Sequence, residues 1–264
     1  MMIADIVAMR SKLMVRSAFG ACPRPESLPP NRPKARCAQC EVRVRCLPAE
    51  LEGDHLRMFD ELVGNQTQLR IRNALYLAGD EFHALHLIRV GSFITSMLDE
   101  AGREQVIGYH MPGDVVGLDG IATSRHTCTA VAAEDSAVCA LPFDQVGTLA
   151  LKLPALQQTV RNAMAREVRR SHELMLLLGS MRAEERVATF LLDLSQRHHQ
   201  RGCAASEFVL RMSRAEIGSY LGLQLETVSR LLTRFHLEGM IHVQGREVKL
   251  LETVALKRIV GRRG

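Results

Sequence analysis

No apolar run in this 264-residue sequence approaches the roughly 20 residues that cross a bilayer. Its start also lacks an apolar core ending in small residues, as a secretory signal would have. The expectation is a cytoplasmic protein. Catalytic constellations are missing too. The histidines are scattered, and no serine, cysteine or carboxylate has a partner at a motif spacing, so the chain does not read as an enzyme. His198 and His199 fall in a polar stretch and read as solvated. Seven cysteines, an odd number at irregular spacing, do not suit a disulfide framework and favour metal ligation.

What is present is a hydrophobic fraction of 47% and a length sufficient for two domains, each with its own core. The formal net charge of +5 favours a polyanionic partner such as nucleic acid. Residues 1–36 are basic and proline-rich without sustained periodicity, and are expected to form a flexible leader. Directly after them stand Cys37, Cys40 and Cys46. A C-x2-C-x5-C spacing lets three thiolates converge on one soft metal centre from a short loop, and both an iron–sulfur cluster and zinc suit such ligands.

From about Leu75 to Leu141 short alternating or apolar runs are separated by turn signals such as Ala78-Gly-Asp80 and Pro112-Gly-Asp114. That pattern predicts a compact barrel or jelly roll. After Pro142 the texture becomes helical. Pro154 suits a first helical turn, and Met164, Val168, Ser171, Met175 and Leu178 follow at spacings that draw a coiled-coil seam. The seam is long enough to pair two subunits; the competing reading is an amphipathic helix lying on its own barrel.

Ser213-Arg-Ala-Glu216 is a capping box that starts a helix, and Gly222 suits the left-handed residue that ends it. Gly218 is small where a second helix could cross closely. That second helix is expected from about Leu225 to His236, burying Val228, Leu231, Leu232 and Phe235 and presenting Glu226, Ser229 and Arg230 on its other face. Ile241 to Leu250 alternates around Gly245 as a hairpin would, completing a winged helix-turn-helix. Arg230 can pair with a guanine edge and Glu226 can accept from a cytosine or adenine amino group, which points to double-stranded DNA as partner.

These residues together resemble the FNR-type (fumarate and nitrate reduction) oxygen-sensing transcription regulators of the Crp/Fnr superfamily. The likeness covers about residues 37–252 and is carried by the cysteine triplet, Gly113-Asp-Val-Val-Gly-Leu-Asp119, Ala183-Glu-Glu-Arg186 and the run from Ile217 to Arg230. The resemblance implies an α+β fold: an amino-terminal β-roll, a jelly roll like that of cyclic-nucleotide-binding domains, then a long dimerisation helix and a carboxy-terminal winged helix-turn-helix. The corresponding divisions are 37–150, 151–182 and 183–264.

It also implies a 4Fe-4S cluster held by Cys37, Cys40, Cys46 and Cys139, the last preceding an apolar-Pro-Phe step that Ala140-Leu-Pro-Phe143 matches. Cys128 lacks that context, and Cys22 and Cys203 fit no position. The implied action is cluster-dependent homodimerisation, binding to a palindromic TTGAT-type site and contact with RNA polymerase, with oxygen destroying the cluster. Two residues depart from the family pattern: Ser171 stands in the seam where an acidic side chain is usual, and Gln224 where a threonine or serine caps the recognition helix. The alternatives are a cyclic-nucleotide-responsive regulator and a Crp-type regulator with structural zinc, neither of which senses oxygen.

Overall fold

The computed structural model describes residues 36–64 and 66–261. The leader expected over residues 1–36 therefore lies, except for Arg36, outside the described residues.

The cysteine loop makes two single 3-10 turns, Cys37–Gln39 and Arg43–Arg45, and leads into α1 (Gly53–Leu62). This helix was not foreseen from sequence. Its apolar contacts are few, chiefly Leu56 and Phe59, so the periodic signal is short.

The β-roll comprises β1 (Gln66–Leu69), β2 (Ala74–Tyr76), β3 (Ala84–Val90), β4 (Phe93–Leu98), β5 (Glu104–His110), β6 (Val115–Val116), β7 (Thr129–Ala132) and β8 (Ser136–Pro142). Two antiparallel four-stranded sheets form, in the orders β1-β8-β3-β6 and β2-β7-β4-β5. Non-sequential neighbours in each sheet give the jelly-roll topology that the short, evenly punctuated strands predicted. Phe93, Ile88, Val138 and Ala130 from facing strands fill the interior. Gly91 turns β3 into β4 at φ 80°, and a Cβ there would sit 2.1 Å from Ser136 Oγ, so only glycine lets the turn lie against β8.

Two helices follow without a loop of any length. Pro142 caps α2 (Phe143–Lys152), and Pro154 is the first residue of α3 (Pro154–Ser180), where its missing N–H costs nothing. The first turns of α3 bury Leu156, Thr159 and Ala163, and Leu156 and Ala163 pack in the same core as α1, α2 and the cysteine loop. Beyond them, α4 (Ala183–Gln200), β9 (Glu207–Val209), α5 (Arg214–Leu221), α6 (Leu225–Leu237), β10 (Ile241–Gln244), β11 (Glu247–Leu250) and α7 (Thr253–Gly261) make the carboxy-terminal unit. Its core, built on Leu191, Ile217, Leu221, Val228 and Phe235, is continuous with Ile94, Val106 and Tyr109 of the roll. The two units thus share apolar surface. Val106 of β5 donates its backbone N–H to Ser219 Oγ of α5 at 2.8 Å across that junction.

Candidate metal centre and nucleic-acid interface

Side chains tie the cysteine loop to α1 and to its own end. Cys37 donates its backbone N–H to Asp60 Oδ1 of α1 at 2.8 Å, and Arg43 donates to the carbonyl of Leu51 at 2.6 Å. Leu47 and Leu51 are both 1% exposed and anchor the loop's end. Cys139 lies mid-strand in β8, paired with Gln66 on one side and Leu87 on the other. The loop and the strand meet at one small pocket bordered by Cys37, Cys40, Cys46 and Cys139, with Arg43 and Arg89 beside them.

Burial pushes the Cys46 thiol up to about 12 and the Cys139 thiol to about 11, each further opposed by neighbouring cysteines. Cys37 rises as well, through burial and the hydrogen bond and charge of Asp60. Burial of Cys37, Cys46 and Cys139 disfavours their thiolates until a bound cation supplies the missing charge. The donor set, sulfur alone and partly enclosed, fits a soft iron–sulfur or zinc centre. As placed, no group of three or more His, Cys, Asp or Glu side chains among the described residues is drawn together tightly enough to hold a metal ion. The remaining described cysteines lie elsewhere. Cys128 is buried with Tyr76 in the roll interior, and Cys203 is buried in the segment between α4 and β9.

The roll interior is closed by its own side chains. Asp119 accepts from the backbone N–H groups of Thr127 at 2.8 Å and Cys128 at 3.2 Å, and from the Tyr76 hydroxyl at 3.3 Å. The Tyr76 and His126 rings stack with centroids 3.6 Å apart. Arg125, the cation nearest this region in sequence, turns outward to the carbonyl of Gly79 at 2.7 Å. These amide donors and the Tyr76 hydroxyl are thus taken by an internal carboxylate.

In the carboxy-terminal unit both halves of the capping box form: Glu216 N–H donates to Ser213 Oγ at 3.2 Å, and Ser213 N–H donates to Glu216 Oε2 at 2.6 Å. Gly222 ends α5 at φ 62°. The role of Gly218 differs from expectation. A Cβ there would meet the carbonyl oxygen of Leu223 at 2.6 Å, so it is the turn folding back over α5, not a crossing helix, that demands glycine. Gln224 begins α6 without a side-chain cap bond, as its chemistry predicts.

Val228, Leu231, Leu232 and Phe235 of α6 are buried, whereas Glu226 and Arg230 are exposed and Ser229 is half-buried on the opposite face. None of these three forms an ion pair among the described residues. Arg214, at the start of α5, donates to the carbonyl of Gly245 at 3.0 Å and so fixes the β10–β11 wing turn beside the helix pair. Arg186 joins the ends of three elements, donating to the carbonyls of Leu178, Met181 and Leu221 at 2.7, 2.9 and 2.9 Å.

Along α3 the seam residues Val168 and Met175 are 55% and 60% exposed, Ser171 is exposed, and Met164 and Leu178 are half-buried. The chain therefore leaves the middle of this stripe, Val168, Ser171 and Met175, uncovered while its ends are half-buried, against the reading of a helix lying wholly on its own barrel. Ser171 Oγ donates to the Glu167 carbonyl at 3.0 Å within its own helix. His198 is not solvated as expected: its ring stacks on Phe208 at 5.3 Å, and burial beside Arg201, Arg197 and Arg211 lowers its pKa to about 4.

Residues 185–259 match the family of Crp-like helix-turn-helix domains and residues 67–152 that of cyclic nucleotide-binding domains. The chain is 44% identical over 227 residues to a "transcriptional regulatory protein btr" of Bordetella pertussis, covering 86% of this chain and 94% of that protein. It is 37% identical over 256 residues to an "anaerobic regulatory protein" of Aggregatibacter actinomycetemcomitans, covering 97% and 95%. Among solved structures, FixK2 from Bradyrhizobium japonicum superposes with a TM-score of 0.70 at 32% identity, over 75% of this chain and 98% of that one.

Proposed function

This chain belongs to the Crp/Fnr family of transcription regulators, in its FNR-type branch, and from that premise we propose that it is an oxygen-responsive regulator whose DNA binding depends on a 4Fe-4S cluster. The observation that carries the reading is the single pocket bordered by Cys37, Cys40, Cys46 and Cys139, a loop triplet and a strand cysteine 93 positions apart from the nearest of them. When bound, the cluster supplies positive iron to neutralise four thiolates and an oxygen-labile bond set.

The chain's own residues do the rest. Arg43 and Arg89 flank the pocket and offset its negative charge. The stripe Met164, Val168, Ser171, Met175 and Leu178 pairs with the same stripe of a second copy, burying surface that a lone chain leaves in water. Pairing places two α6 helices for successive major grooves of a two-fold symmetric site. Glu226, Ser229 and Arg230 then read the half-site, for which TTGAT is the expected core, while Arg214 and the wing turn stand near the backbone. The DNA-bound dimer contacts RNA polymerase. The closed roll interior at Asp119 speaks against a cyclic-nucleotide signal.

The test is purification without air, followed by visible absorption, iron and sulfide counts, and DNA affinity before and after oxygen. About four irons per chain, a broad band that bleaches in air, and loss of affinity for a TTGAT palindrome are expected. Cys139→Ser should lose the iron and Cys128→Ser should keep it. A colourless protein, one carrying zinc, or a Cys139→Ser variant with full iron would overturn the reading.

A further inference from the structure

Asp114 lies in the loop between β5 and β6, and its side chain is 9% exposed. Oδ1 accepts from Arg170 of α3 at 2.7 Å and from Arg201, the residue that ends α4, at 3.0 Å; Oδ2 accepts from Arg197 of α4 at 3.1 Å and from the Met111 backbone N–H at 2.9 Å. Arg197 and Arg201 also bind backbone carbonyls at this loop, Arg197 donating to Tyr109 O at 2.7 Å and Arg201 to Pro112 O at 3.0 Å. One carboxylate thus gathers three guanidinium groups from the dimer helix and from the first helix of the DNA-reading unit. Arg170 and Arg197 each have one further carboxylate, Glu167 at 3.5 Å and Asp193 at 3.7 Å, but Asp114 touches all three guanidinium groups and is the only ion-pair partner of Arg201 among the described residues.

The same loop touches the cysteine pocket twice. Gly113 N–H donates to Ile88 O at 2.8 Å and Ile88 N–H to Asp114 O at 3.0 Å, and Ile88 borders the pocket. Gly113, at φ 90°, lies directly under Arg45: a Cβ at that position would be 2.8 Å from Arg45 Cβ, and Arg45 is bonded to Cys46. A shift of the Cys46 loop therefore bears on residues 113 and 114. On the far side, Arg170 precedes the seam residue Ser171. A groove of about 760 Å³ lined by residues of α3, α4 and β5 borders the network.

We propose that Asp114 is the joint that passes the state of the cysteine loop to the dimer helix and to the DNA-reading unit. It is a positioning residue, since it touches neither metal ligand nor DNA, and the inference rests on the oxygen-responsive reading above. With Asp114 paired, the loop, α3 and α4 move as one body; with it unpaired, the roll loses its hold on both helices and Arg170 of α3 repels Arg197 and Arg201, whatever the cysteines hold.

Wild type, Asp114→Asn and Arg170→Gln are compared for iron per chain, dimer fraction by sedimentation, and affinity for a palindromic duplex before and after air. Both variants should hold as much iron as wild type, while the ratio of affinities before and after air falls from the wild-type value to within about twofold of one. A merely structural role would lower both affinities and leave the ratio unchanged. Arg170→Gln leaves Asp114 paired with Arg197 and Arg201, so it decides the matter if Asp114→Asn fails to fold. Variants with full iron and the wild-type ratio overturn the joint alone, and variants that lose iron overturn it too, because the defect then lies in ligation. A wild type without iron or without a response to air overturns the oxygen-responsive reading, and the joint with it.

Discussion

His198 shows how a single residue changes meaning between a line of sequence and a packed chain. In sequence it stands beside His199 in a polar stretch; in the fold its ring lies flat on Phe208, where burial first and then the nearby arginines keep it neutral with a pKa near 4. An unfolded chain binds that proton at about 6.5. Between these values the unfolded state takes up a proton that the folded state refuses, so stability is complete above about pH 6.5 and falls as the pH drops toward 4. His86, also lowered to about 4 by burial and His126, acts in the same direction. His198→Phe keeps a ring against Phe208 and removes one titrating group. Urea unfolding at pH 7 and pH 5 should show that the variant loses less stability on acidification than wild type, by on the order of 1 kcal/mol; equal losses would contradict the buried-neutral assignment. The cysteines were more legible. The triplet is visible in the spacing alone, but Cys139 differs from Cys128 only by its neighbours in sequence, and it is the pairing of β8 with β3 that brings it to the pocket.

Among the elements, the helix pair α5–α6 was the most legible because its signals are local: a cap, a left-handed glycine and an apolar face all act within one turn of where they are read. Local chemistry also exposes its weak point. Gln224 leaves the first amides of α6 without a side-chain acceptor. Gln224→Ser should raise the protein's stability by about 0.5 to 1 kcal/mol in chemical denaturation without altering the exposed Glu226 and Arg230. An unchanged midpoint would mean that solvent already serves those amides equally well. Strand signals were legible as texture from Leu75 onward, yet β1 was missed. Its burial pattern is mostly exposed, and it is held by backbone pairing with β8, which leaves little mark on the side chains. α1 was missed for a related reason, a short helix tied down by one turn of apolar contacts.

At the scale of the whole molecule the question is what covers the stripe on α3. Val168 is 55% exposed and contributes little to the chain's own core, so Val168→Glu should leave thermal unfolding of the single chain unchanged while setting like charges face to face in a pair. Sedimentation should show dimerisation weakened by at least about tenfold, roughly 1.4 kcal/mol, with a matching loss of affinity for a two-fold site. A variant that remains fully dimeric would remove the seam from the interface. The sequence by itself determined the architecture, since the change from strand texture to helical texture, the seam and the winged helix are written in periodicities that need no long-range information. It also determined the cysteine triplet and the exposed polar face of α6. Only the tertiary structure decided the rest: that Asp119 closes the roll interior, that Arg186 ties three helix ends together, and that Asp114 meets three arginines 56, 83 and 87 residues away. Those contacts join groups distant in the chain. Charge pairing of this kind has no period and no spacing rule, so nothing short of the folded chain reveals which arginine answers which carboxylate.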